Sequence, residues 1–77
     1  MFTKYLIDWL GNVLDASTLH RIGALVCGPD DRGYTVRRYA ADRPEHVPAK
    51  AIKIQLTKGG AFVAGDSVTD PSDRMSP

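Results

Sequence analysis

Apolar side chains enter this chain at two different periods. Between residues 2 and 14, Phe2, Tyr5, Leu6, Trp9, Leu10, Val13 and Leu14 recur at spacings of three and four, with Lys4, Asp8, Gly11, Asn12 and Asp15 between them. That repeat is the signature of an amphipathic helix. Gly11 inside it costs about 1 kcal/mol relative to alanine. The same stretch also reads as a hairpin, with DWLGNV as its turn and Trp9 at an exposed tip. A second helix is predicted over residues 15–29: Asp15, Ser17 and Thr18 supply N-cap side chains, Gly28 and Pro29 end it, and Leu19, Ile22, Leu25 and Val26 form its apolar stripe. A buried strand in RIGALVCG is the alternative there, since short apolar runs do not separate the two by periodicity.

After the turn PDDRG the period changes to two. Tyr34, Val36 and Arg38 take one side of a strand and Thr35, Arg37 and Tyr39 the other, so the adjacent arginines point apart. Residues 40–50 read as a loop, because Pro44 and Pro48 lack the amide donors of a ladder. Next, Ile52, Ile54 and Leu56 alternate with Lys53, Gln55 and Thr57, and KGG turns the chain into AFVAGDSV. The predicted architecture is α+β: two N-terminal helices packed on a three-stranded antiparallel sheet. Its alternative is a mostly β, small barrel-like domain. Residues 1–68 make one globular domain and residues 69–77 an acidic tail containing Pro and Ser. The expected core is Leu6, Trp9, Leu10, Ile22, Leu25, Ile52, Ile54 and Leu56.

One residue of register decides the place of Phe62. A two-residue Gly59-Gly60 turn pairs Leu56 with Val63 and turns the ring outward, whereas a three-residue loop from Lys58 pairs Leu56 with Phe62 and turns it inward. Inward placement is expected, because a small core needs the roughly 1.5–3 kcal/mol that burying such a ring contributes.

With 77 residues the chain buries only about 60% of the surface its unfolded form exposes. The hydrophobic fraction of 43% and charged fraction of 25% are those of an ordinary folded domain. A single cysteine, Cys27, leaves no pair for a disulfide or a metal finger and suits a reducing compartment. Asp8 interrupts the apolar N-terminus, which argues against a signal peptide. The expected location is the cytoplasm, a host cytosol or a virion if the chain is phage-encoded. The net charge of +1 hides a basic middle: residues 32–58 carry seven basic against two acidic side chains, while the segments before and after are each at −2. Such asymmetry fits an acidic partner or internal pairing.

Motif chemistry is sparse. On a helix His20 and Cys27 would lie about 10 Å apart, too far to share a proton; Cys27 reads as a small buried apolar residue and His46 as a solvated loop imidazole. Asp66, Asp70 and Asp73 lack the order of a calcium loop, and LTKGGAF lacks the first glycine of a phosphate loop. No catalytic residue, metal site or cofactor is therefore expected, and no small-molecule substrate or membrane partner. Catalysis would need His46 to meet Asp30 or Asp31. The expected function is that of a non-enzymatic protein-binding module, a subunit of a larger assembly or a regulator that masks another protein's surface. Its partner is another protein or a second copy, met through Arg37, Tyr39 and Lys53, and through Phe62 where the hairpin register turns it outward. A small nucleic-acid binder using the same basic, tyrosine-containing face is the alternative.

Overall fold

A computed structural model describes residues 2–68; the expected tail at 69–77 lies outside the described residues. The chain is mostly β. Seven strands run β1 Tyr5–Ile7, β2 Asn12–Asp15, β3 Arg21–Asp30, β4 Gly33–Arg38, β5 Glu45–Val47, β6 Ile52–Gln55 and β7 Phe62–Ala64. The described residues contain no α-helix, and single 3-10 turns occur at Ala49–Ala51 and Gly65–Ser67. The sheet order is β5-β4-β3-β2-β1-β6-β7. All neighbours are antiparallel except β1 and β6, which run parallel.

This arrangement corrects the expected α+β fold of two helices on a three-stranded sheet. Residues 5–15 form the hairpin that was the alternative reading. Tyr5, Ile7 and Val13 point inward and are buried, Leu6 and Leu14 share the outer face, and Trp9 and Leu10 sit in the turn. Leu6, Trp9, Leu10 and Leu14 thus produce the three-and-four spacing without belonging to the core, whereas Ile7, which the helical stripe omits, is fully buried. The second expected helix is a turn followed by β3. The Asp15 carboxylate accepts from the Ser17 and Thr18 amides, as an N-cap would. Leu19 then adopts a φ of 65°, which ends any helical path and returns the chain as an antiparallel strand. Within β3, Gly23 lies so close to β4 that a Cβ would fall 2.3 Å from the Arg37 carbonyl oxygen. Glycine at that position lets the two strands approach.

The expected meander of three strands is also corrected. β4 and β6 are not neighbours: β3, β2 and β1 lie between them. The three residues Glu45–Val47, flanked by Pro44 and Pro48, add a short edge strand to β4, the position in a sheet where adjacent prolines are tolerated.

The sheet rolls around its core. Four strand spacings of about 4.8 Å separate β5 from β1 along the sheet, roughly 19 Å if it were flat. Yet the Tyr5 hydroxyl donates to Glu45 Oε1 at 3.0 Å. Farther along, the Tyr34 hydroxyl of β4 donates to the Gly65 carbonyl, just past β7, at 3.2 Å. Inside the roll Tyr5, Ile7, Val13, Tyr34, Val36, Val47 and Ile52 form the buried core, with Ile22, Leu25, Ala49, Ala51 and Ile54 packed against it. Of the expected core, Ile52 is buried and Ile22, Leu25 and Ile54 are partly so, while Trp9, Leu10 and Leu56 are exposed.

Candidate functional site

The β1–β2 turn is built around one carboxylate. Asp8 Oδ1 accepts from the amides of Leu10 at 2.9 Å and Asn12 at 2.8 Å, and Oδ2 accepts from Asn12 Nδ2 at 2.9 Å. The Asp8 and Gly11 amides donate to the Asn12 and Asp8 carbonyls, both at 3.0 Å, and Gly11 takes the positive φ of 82° that closes the turn. Burial works against the Asp8 charge, but the hydrogen bonds from Asn12 and Leu10, helped by the Arg21 charge, hold its carboxyl below the usual value. The Leu25 amide donates to the Gly11 carbonyl at 2.7 Å and ties the turn to β3. On this braced support Trp9 is 42% and Leu10 69% exposed.

Strand direction extends the apolar surface. Because β6 runs parallel to β1, it ends at the same end of the sheet as the tip, where Leu56 leaves the strand exposed. Val26, also exposed, follows the Leu25 tie on β3. Trp9, Leu10, Leu56 and Val26 thus lie toward one end of the roll, while the exposed Leu19 sits in the turn at the opposite end of β2.

The four residues expected to form one contact face all lie on the outer face of the sheet, in two separate places. Arg37 pairs across to Ala24, and Tyr39 follows at the end of β4, where the Arg21 guanidinium lies 5.8 Å from its ring centroid. Lys53 pairs with Leu6 and Ala64, and Phe62 with Gln55. The roll turns these pairs away from each other, since three strands intervene between β4 and β6. Phe62 was expected in the core. The observed register, Ile54 with Val63 and Gln55 with Phe62, leaves residues 56–61 as the connection and puts the ring on the face opposite Ile54, half-buried. Sequence reasoning placed Leu10 and Leu56 in the core and Val26 on a buried helical stripe, and it did not single out Arg21. The DWLGN composition, with Asp and Gly at turn positions, was the available signal for Leu10; Arg21 carried none, because its nearness to Tyr39 depends on β3 pairing with β4.

Elsewhere, Cys27 is exposed rather than buried, on the outer row Cys27, Thr35, His46 across β3, β4 and β5. His46 Nδ1 lies 3.0 Å from Thr35 Oγ1. Asp30, Asp31, Arg32, Lys50 and Asp66 help line an open cleft of about 350 Å³, and His46 is not among its lining residues. Among the described residues no group of three or more His, Cys, Asp or Glu is arranged to hold a metal ion. Nor is any helix among them long and apolar enough to cross a membrane.

Glu45 is the centre of the polar contacts that hold the roll together. It accepts from Lys4 Nζ at 2.6 Å and from the Tyr5 hydroxyl, with Arg38 Nε at 4.0 Å. The Lys4 hydrogen bond, against the opposing effect of burial and with help from Tyr5, holds the Glu45 carboxyl below its usual value. The same bond raises Lys4, and burial raises Tyr5.

No protein-family model matches the chain, and no curated protein or solved structure matches it.

Proposed function

We propose that the chain is a non-enzymatic protein-binding module, a subunit of a larger assembly or a regulator that masks a partner's surface, and that it seats the Trp9–Leu10 tip in an apolar recess of that partner. The observation that carries this reading is the exposure of Trp9 and Leu10 on a turn fixed by three hydrogen bonds to Asp8. Tryptophan is enriched among the few residues that dominate interface energies. A turn already held in shape loses less conformational freedom on docking than a loose loop, so more of the contact energy appears as affinity. Leu56 and Val26 enlarge the apolar patch, and Phe62 and Lys53 lie on the outer face nearby. Arg37 and Tyr39 face elsewhere and are not assigned to this contact.

The test places a photo-crosslinking amino acid at position 9 or, as a control, at Ser17, which lies in the turn at the opposite end of β2. Irradiation in the native source is expected to give a discrete protein adduct from position 9 alone, lost when Leu10 is also changed to Ser. An adduct of twice the chain's mass identifies a second copy as the partner. Identical adducts from both positions, or none from position 9, would refute the proposal.

A further inference from the structure

A second surface, independent of the tip, lies on the outer face of β3 and β4. Tyr39 is 61% exposed, and the Arg21 guanidinium stands 5.8 Å from its ring centroid. Arg37 shares that outer face two residues earlier in the chain, opposite Ala24, a neighbour too small to screen it. The ion pairs found among the described residues are those of Lys4 and Arg38 with Glu45, so Arg21 and Arg37 keep their charge uncompensated by a close carboxylate. Arg21 does feel the field of Asp8, but both oxygens of that carboxylate already accept hydrogen bonds within the tip turn. Glu45 stands opposite Val36 on the inner side and bonds Lys4 and Tyr5 there.

We infer that Arg21, Tyr39 and Arg37 form a binding surface for single-stranded nucleic acid, with a base stacked on the face of Tyr39 that Arg21 leaves open and backbone phosphates held by the two guanidiniums. The exposed ring favours this class of ligand over an acidic peptide: every base offers a π-face, and aromatic stacking beside cations is the sequence-tolerant mode of single-strand recognition. The site is short, spanning the ends of two neighbouring strands, and contacts few nucleotides. Lys53 takes no part, because the roll of the sheet carries it to a different side of the molecule.

The inference is tested by fluorescence anisotropy with labelled oligo-dT and oligo-U of about 15 nucleotides, within the site sizes of small single-strand binders, over a salt series. Two phosphate contacts give a slope of log affinity on log salt of about −1.4, and Arg37→Gln brings it to about −0.7. Tyr39→Ala weakens binding about tenfold or more, the loss expected of one stacked base, while Tyr39→Phe retains it. Lys53→Gln leaves affinity unchanged, and so does Trp9→Ser, which separates this surface from the tip. The inference is overturned if neither oligonucleotide binds at the lowest salt, or if Lys53→Gln and Arg37→Gln weaken binding equally. Inorganic polyphosphate binding as tightly as the oligonucleotides would also overturn it, since that ligand has no base to stack.

Discussion

Replacing Glu45 with alanine should loosen the roll of the sheet without touching any strand pairing. Glu45 sits on the edge strand β5, yet its carboxylate reaches Lys4 and Tyr5 beside and on β1, four strands away along the sheet. The loss has two parts. The Tyr5 hydroxyl, on a side chain 3% exposed, would be stranded, at a cost of about 1–3 kcal/mol. The Lys4 ion pair, whose side chains are 47% and 32% exposed, adds at most about 1 kcal/mol after solvent screening. Glu45→Ala should therefore reduce the unfolding free energy by about 1–4 kcal/mol, read as a lower urea midpoint in circular dichroism with an unchanged slope. Tyr5→Phe removes the same hydroxyl contact, so the two changes should be less than additive in a double-mutant cycle. The folded Glu45 carboxyl is depressed, so its contribution is complete above the unfolded glutamate value of about 4.3 and disappears as the pH falls through the folded value. Lys4 is raised, so its share is present below about 10.4 and is lost as the pH rises through its folded value. A Glu45→Ala protein as stable as the parent at neutral pH, or one with the parent's acid sensitivity undiminished, would refute the role of this latch.

The inner and outer faces make separate predictions. Ile7→Ala should cost about 2–5 kcal/mol of stability and Leu6→Ala clearly less, because Ile7 is fully buried while its neighbour points outward; equal losses in urea melts would contradict the strand alternation. Gly23→Ala should destabilise by about 1–3 kcal/mol or more, since its Cβ would meet the Arg37 carbonyl and part β3 from β4; an unchanged thermal midpoint would show that the strands are not so close. Trp9→Ser with Leu10→Ser should leave stability within about 0.5 kcal/mol of the parent, as for surface changes generally, while removing the protein contact in the crosslinking assay.

The later strands were legible in the sequence because they obey a single rule. Ile52 and Ile54 alternate with Lys53 and Gln55, and Tyr34 and Val36 with Thr35 and Arg37, so that Ile52, Tyr34 and Val36 are buried while Lys53 and Arg37 are exposed, although Thr35 is buried as well. The first 30 residues were misread because apolar residues there serve three purposes. Tyr5, Ile7 and Val13 fill the core, Leu6 and Leu14 sit on the outer face, and Trp9 and Leu10 occupy a turn; together they mimic a helical period. Asp15 reads equally well as a helix cap or a turn residue, because its carboxylate accepts backbone amides in either setting. The contact face was half legible. Alternation put Arg37, Tyr39 and Lys53 on one side of their strands, but the three strands inserted between β4 and β6 come from the misread region. Their separation could not be derived without it.

Residues 8–11 form a braced turn that presents Trp9, the chain's single tryptophan, to solvent, so its exposure is directly measurable. Iodide quenching of the folded protein's fluorescence is the measurement. A quenching constant that is a substantial fraction of the urea-unfolded value, together with a red-shifted emission, is the predicted result. A blue-shifted tryptophan inaccessible to iodide would place Trp9 in the interior and contradict the account.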